Sequence, residues 1–384
     1  MKTLLGPTRR YALPCFLFLG YMSTLWLILF YMPIYLIDSG FSHLEVGILI
    51  SFFPLTSLLL IFPFGIFADR LSPKKLVIAG LVISAIFLLG LRAVSGFWGF
   101  LLVFFIGGIG SSLFRISLSA LYYKFLGETK KGIKLGFFSG FMLLGYGVGP
   151  LVGGNLSMRL DMDSLLLVAL FVLLVPLFLS LFLEDAKPAK FHFGVYRKDI
   201  WRKEVIILTA LVFLLATHLG AEQTSLSLFL KYDADLPNNS IGLTFGLIGI
   251  TISTFAIING FVTDKVAGRG RGLAPLLYLG MLFSGLCNIL MFIPRAFASV
   301  LTLRLFHVLG DSTFMVSQKV TVSNLFLAER IGGSLGLLEA MNTLGIFAGM
   351  LISGAVPGYV LPFVVTGSLA VLAIIPAIAL KPKF

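Results

Sequence analysis

The chain has 384 residues, of which 58% are apolar and only 12% charged, and its mean hydropathy is +1.03. A soluble domain of this length could not cover its surface with so few charges, which excludes an ordinary globular enzyme or binding module. The net charge of +12 raises the possibility of a nucleic-acid partner. However, the basic residues punctuate long apolar stretches, a pattern that reads as attraction to anionic lipid.

A bilayer-crossing helix needs about 20 mainly apolar residues. Twelve such stretches follow one another, near 11–37, 43–68, 74–92, 97–125, 133–158, 164–183, 205–231, 241–263, 273–293, 297–327, 333–356 and 359–380. They are long and continuous rather than short and alternating, so the expectation is an all-α membrane protein of 12 transmembrane helices, not a barrel. The first stretch is too long for a signal-peptide core and lacks a small-residue cleavage site, so it is expected to be retained. It carries the aromatic residues Trp26, Tyr31 and Tyr35, which would suit an aromatic or cationic ligand.

Between spans two and three lies Gly65-Ile66-Phe67-Ala68-Asp69-Arg70, with Lys74 and Lys75 behind it. Span four carries Arg115, with Ser111, Ser119 and Tyr122 on its face, and span five reads Gly145-Tyr-Gly147-Val-Gly149-Pro150-Leu-Val-Gly153-Gly154. Spans six and seven are separated by the longest polar segment, 184–204, which divides an N-terminal half (1–183) from a C-terminal half (205–384). An interfacial amphipathic helix is expected within it, around Val195–Lys203. Span seven places His218 and Glu222 four residues apart on one face. After span eight comes Gly260-Phe261-Val262-Thr263-Asp264-Lys265, followed by Gly268, Arg269 and Arg271. In span ten, Arg304, His307, Asp311, Gln318 and Lys319 fall within an arc of about 120°, and Glu339 lies near the start of span eleven. Cys15 and Cys287 both sit in apolar spans, so no disulfide framework is indicated. Trp98 and Trp201 read as interface anchors.

With the N-terminus placed in the cytoplasm and sides alternating, most Lys and Arg fall on cytoplasmic segments. Only Arg92, Arg159, Lys231 and Arg295 lie on the other side, while Arg115, Arg304 and Lys319 lie within spans. The positive-inside rule then places both termini in the cytoplasm of a multi-pass cell-membrane protein.

The loop at Gly65 returns at Gly260, 195 residues later, and a second match recurs at an offset of 200. Leu135-Gly136, Leu144-Gly145, Gly149, Leu151 and Gly154 reappear as Leu335-Gly336, Leu344-Gly345, Gly349, Leu351 and Gly354. Gly108-Ile109-Gly110-Ser111-Ser112 likewise sits opposite Val308-Leu309-Gly310-Asp311-Ser312. Three pairs at nearly one offset predict two pseudo-symmetric six-helix bundles, the architecture of a secondary transporter.

On these motifs the whole chain resembles the major facilitator superfamily. The loop Gly65-x-x-x-Asp69-Arg70-x-x-x-Lys74-Lys75 is similar to that family's signature between spans two and three, with Ser72 where the family usually has Gly; the copy keeps Gly268. The resemblance implies that Asp69 meets the positive N-terminal end of span eleven, and Asp264 that of span five. Gating would then fall to Gly65, Asp69, Arg70, Lys74, Gly260, Asp264, Lys265 and Arg269, with Glu339 and Lys319 expected to join the network around Asp69. The motif Gly145, Gly149, Pro150, Gly153, Gly154 resembles that of the proton-driven drug antiporters, which favours export, with Pro150 bending the helix. Against this, the antiporters' Arg motif in span four is absent: Phe104 stands in its place, and the equivalent position of the other half carries Arg304.

Ionisable groups inside a membrane cost about 2.5–3.5 kcal/mol each and usually mark a pathway. The resemblance puts spans one, four, seven and ten around the central cavity. Arg115, Tyr122, His218, Glu222, Arg304, His307 and Asp311 are therefore the expected substrate-binding or proton-coupling residues, with Asp311 and Glu222 leading. The other reading is a static network that rigidifies the C-terminal bundle. No metal-ligand spacing, cofactor motif or catalytic constellation stands out, and no nucleotide-binding loop is present to supply energy from ATP. The expected function is alternating-access, proton-coupled efflux of a small amphipathic compound by a monomer. Two rivals remain: uptake or facilitated diffusion of a sugar or organic anion held by Arg115 and Arg304, and a membrane receptor or sensor that binds without transporting.

Overall fold

In the computed structural model, residues 6–187, 200–294, 296–327, 331–382 and 384 are described. Most of the expected interfacial helix around Val195–Lys203 lies outside them, as do Lys2, Arg295 and Lys383. Every expected span is a helix. In chain order these are Gly6–Leu29 with its continuation Met32–Asp38, then His43–Arg70, Pro73–Ala93, Gly96–Lys124, Lys131–Leu156 and Met162–Ser180. The second half contributes Lys203–Leu228, Asn238–Ala267, Ala274–Ile289, Phe297–Leu325, Ile331–Ala355 and Leu361–Leu380. They are called spans one to twelve below.

Local chemistry sets the boundaries. Span one breaks at Tyr31 because Pro33 has no N–H to continue the helical ladder. Span two begins with a capping box, in which Glu45 N–H donates to Ser42 and the Glu45 carboxylate accepts the Ser42 amide. Span three starts at Ser72, whose hydroxyl accepts the Lys75 amide at 3.2 Å with Pro73 next in line. Eleven of the helices are long and apolar enough to cross a membrane. Span ten, Phe297–Leu325, is 29 residues long but falls short in composition because Arg304, Asp311 and Lys319 lie within it.

The two halves use one packing scheme twice. In the first, Gly80 and Ser84 of span three press against Gly110 and Phe114 of span four. In the second, Gly280 and Ser284 of span nine press against Gly310 and Phe314 of span ten. All four pairs are 200 residues apart. The halves meet where span five lies along span eight and span two along span eleven. A Cβ on Gly147 would come within 2.6 Å of Gly249 Cα, so spans five and eight touch backbone to backbone. Gly145, Gly149 and Gly153 face span one, where a Cβ on Gly149 would meet Ser23 O at 2.6 Å, while Gly154 faces Asn238 of span eight. Span five continues as a helix through Pro150, whose carbonyl accepts the Tyr31 hydroxyl at 2.8 Å. Spans two and eleven close only at one end: Gly65 lies against Gly332 and Gly336, whereas Gly47 and Gly354 at the other end have open space beside them.

Candidate functional site

The end where spans two and eleven close carries both signature loops. The Gly332 and Gly333 amides, at the start of span eleven, donate to Asp69 Oδ1 and Oδ2 at 3.1 and 2.9 Å. The Gly132 and Ile133 amides, at the start of span five, donate to Asp264 at 2.7 and 3.0 Å. Each carboxylate therefore caps a helix of the opposite half, where free amides and the helix dipole favour negative charge. Gly132 and Gly332 must lack side chains, because a Cβ on either would lie 2.7 Å from the carboxylate oxygen it binds. Lys124 Nζ adds a contact at 3.4 Å to Asp69 that the sequence reading missed. Its donors and acceptors come from spans too distant in the chain for spacing to reveal them.

The other residues expected at this gate take different places. Lys74 is turned to the end of span six, its ammonium donating to Leu181 O at 2.7 Å and its amide to Asp185 at 3.2 Å. Asp185 also accepts the Ser72 hydroxyl, so the serine that departs from the family pattern ties the loop to the start of the linker. Arg70, Lys265 and Arg269 are exposed at this end. Glu339 does not join the Asp69 network: it lies two turns into span eleven and pairs with Arg115 at 3.1 Å across the two halves. Lys319 is not part of that network either, and its ammonium donates to Ser139 of span five at 2.8 Å.

Between the halves is a cavity of about 1540 Å³, part of it continuous with solvent. Trp26, Phe30, Phe138, Tyr146, Phe245, Met142 and Met315 supply its apolar walls, and Arg115, Glu222, Arg304, Asp311, Lys319 and Glu339 its charges. A second chamber shares Trp26, Arg115, Tyr146 and Gln223 with it and extends toward Ile50 and Met350, at the end where spans two and eleven diverge. Tyr122, expected in the cavity, is buried behind it: its ring stacks on Phe138 and its hydroxyl donates to Lys134 O at 2.7 Å. Tyr123, one residue on, lines the cavity instead. Tyr31 also stays out of the main cavity, held by Pro150.

The C-terminal half carries a buried polar cluster at the cavity wall. Arg304 Nη2 meets Glu222 Oε2 at 2.6 Å, and its Nη1 donates to Asn288 Oδ1 at 2.9 Å. His307 Nε2 lies 3.2 Å from Glu222 Oε1, and His218 Nε2 lies 3.2 Å from Asp311 Oδ1. At its centre, the Ser284 hydroxyl donates to Asp311 Oδ1 at 2.6 Å and lies 3.1 Å from His307 Nε2 and 3.4 Å from His218 Nε2. Glu222, Arg304 and Asp311 reach the cavity, while the two imidazoles stand behind them, fully buried. Sequence reasoning missed Ser284 and Asn288. The available signal was the 200-residue offset, which pairs Ser284 with Ser84.

Among the described residues, His218, His307 and Asp311 bring metal-type donor atoms within 4.8 Å of one another. The donor types suit a divalent transition metal, but the Ser284 hydroxyl already lies among them, bonded to the carboxylate. His307 Nδ1 lies 3.4 Å from Asp311 Oδ2, while His218 Nδ1, Arg304 Nε and Asn288 Nδ2 make no hydrogen bond within the protein.

Twelve spans in two related halves, with a shared cavity at mid-depth and a paired latch at one end, define a membrane transporter. Comparisons with known proteins agree. The family description "Major Facilitator Superfamily" matches residues 15–274 and 223–383, and the chain belongs to that family. It is 24% identical over 336 residues to the quinolone resistance protein NorA of Staphylococcus aureus strain MRSA252, covering 84% of each chain. A segment of 126 residues, 33% of each chain, is 29% identical to an uncharacterized MFS-type transporter of Methanocaldococcus jannaschii. Two solved structures share the fold. One is the human organic anion transporter TETRAN, with a TM-score of 0.75 and 16% identity over 97% of this chain and 99% of that one. The other is a POT family transporter in complex with a thioalcohol-conjugated peptide, with a TM-score of 0.80 and 14% identity over 98% and 96%. The protein is therefore a multi-pass membrane transporter and not an enzyme.

Proposed function

We propose that this transporter exports a small amphipathic compound from the cytoplasm in exchange for protons, working as a monomer in the cell membrane with both termini inside. The observation that carries the reading is the charge balance of the buried cluster. Two carboxylates, Glu222 and Asp311, share one guanidinium, Arg304, so with both imidazoles neutral they sum to one negative charge at the cavity wall. One proton neutralises it. A cationic or polar group on a substrate reaching Glu222 or Asp311 from the cavity would compete for that position.

The aromatic and methionine walls suit an apolar body. The likeness to NorA, a quinolone resistance protein, supports export. In this reading residues 1–183 and 205–384 rock as units about the linker 184–204. Asp69 and Asp264 hold the cytoplasmic end shut until substrate and proton exchange. Uptake of a small anion on Arg115 and Arg304 is less well supported, because Arg115 is already paired with Glu339 and the cluster around Arg304 holds two carboxylates to one guanidinium.

The test is transport in proteoliposomes with an imposed proton gradient, using lipophilic cations, organic acids and sugars. Counter-movement of protons and an amphipathic compound supports the proposal, and transport indifferent to the gradient removes it.

A further inference from the structure

We infer that the preferred substrate is a zwitterion, with an acidic group held by Lys319, a basic group held at the Glu222 and Asp311 carboxylates, and an aromatic body between. This deepens the export reading above and rests on it. The cavity charges sort into two ends. Toward the latched end, Arg115 and Glu339 close on each other at 3.1 Å and cancel. Lys319 is left over: its ammonium donates to the neutral Ser139 hydroxyl at 2.8 Å and stands 5.8 Å from the Phe138 ring centroid. Among the described residues it has no carboxylate within ion-pair distance. That end therefore carries one net positive charge, while Glu222, Asp311 and Arg304 carry one net negative charge when both imidazoles are neutral.

Asp311 and Lys319 stand on one helix, eight residues apart, a rise of about 12 Å. Met315 lies between them on the same helix, and Trp26, Tyr146 and Phe245 also line this cavity. A cationic substrate matches only the carboxylate end and leaves a half-buried ammonium facing an apolar wall, at the cost of a charge kept in a poor solvent. A solute with both charges on the order of 10 Å apart satisfies both ends at once. Its acidic group would also take the place of Ser139 at Lys319. Ser139 belongs to span five and Lys319 to span ten, so this exchange breaks a bond between the halves next to the latch. Substrate occupancy and gate release would thus meet at one side chain.

The experiment uses three related probes: an aminoalkyl-aryl carboxylic acid with about 10 Å between its charges, its methyl ester and its N-acetyl derivative. Binding is read from tryptophan fluorescence of the purified full chain, and transport from proteoliposomes. The wild type should bind the zwitterion about tenfold or more tightly than either singly charged relative. Lys319→Gln should bring the zwitterion to the level of the ester, and Lys319→Arg should restore the preference, which separates loss of charge from loss of fold. An ester bound as tightly as the zwitterion, or a preference that survives Lys319→Gln, overturns the inference. Proton dependence measured with the ester tests the export reading separately: indifference there removes antiport without touching the comparison of probes.

Discussion

Asp69 of span two accepts the Gly333 amide of span eleven at 2.9 Å, and Asp264 of span eight accepts the Gly132 amide of span five at 2.7 Å. The two latches are copies of one contact, each joining a loop of one half to a helix start of the other. They differ in strength of support: Asp69 also has Lys124 at 3.4 Å, whereas the position 200 residues on from Lys124 is Asn324.

Asp69→Asn and Asp264→Asn should each weaken the closed end by about 1–2 kcal/mol, since a neutral amide no longer complements the helix terminus. The population open at that end should rise about five- to thirtyfold. Reactivity of Ser119→Cys in the cavity toward an impermeant thiol reagent, in a background with Cys15 and Cys287 replaced by Ala, reports this. Equal reactivity with and without the Asp substitutions would mean that the carboxylates do not hold the gate.

Arg304→Ala leaves the Glu222 carboxylate facing the cavity wall without its guanidinium. A loss of about 3–5 kcal/mol in thermal stability is expected, as for breaking a buried pair on one side. The double change Arg304→Gln with Glu222→Gln should recover much of that stability, since it removes both partners of the pair together. A double variant as unstable as the single one would show that the pair is not the relevant unit.

Ser284→Ala removes the hydroxyl shared by Asp311, His307 and His218. It should cost about 1–3 kcal/mol and displace the pH profile of transport. Ser84→Ala is the matched control, because Ser84 bonds only neutral partners, the Tyr21 hydroxyl at 3.2 Å and Gly80 O at 2.9 Å. A pH profile moved equally by both substitutions would argue that Ser284 has only a packing role.

Gly147→Leu should separate spans five and eight. A Cβ alone would stand 2.6 Å from Gly249 Cα, so backbone must shift, at about 1–3 kcal/mol or more. Loss of transport with the protein still folded in the membrane, by size-exclusion profile, is the expected outcome. Normal transport would mean that the seam tolerates widening.

The helices were legible in the sequence for a physical reason, since long apolar runs admit one structure in lipid. The two latches were legible through the resemblance of the Gly65 and Gly260 loops to the family signature, which implied a helix terminus opposite each Asp. The Glu222–Arg304 pair could also be placed, because both lie at similar depth on facing spans. The errors have a common cause. Tyr122 and Glu339 were placed by helical face or by distance from a helix end, which fixes direction around an axis but not which neighbour fills it. Tyr122 points to Lys134 and Phe138, and Glu339 reaches Arg115 in place of Asp69. Ser284 escaped notice because a lone serine in an apolar span carries no signal until its partners from spans seven and ten surround it. Comparing halves position by position would have found it: Ser84 and Ser284 correspond, as do Ser111 and Asp311, and Phe104 and Arg304. The same helix frame thus holds neutral groups in one half and the charged cluster in the other.

The most direct measurement of the central claim is proton release or uptake when substrate is added to purified protein in weakly buffered detergent solution. With the wild type, binding should displace about one proton per molecule, and the signal should disappear in Asp311→Asn combined with Glu222→Gln when substrate is raised to saturate the weakened site. Substrate binding that moves no protons in the wild type, or an undiminished proton signal in the double variant, would contradict exchange at this cluster.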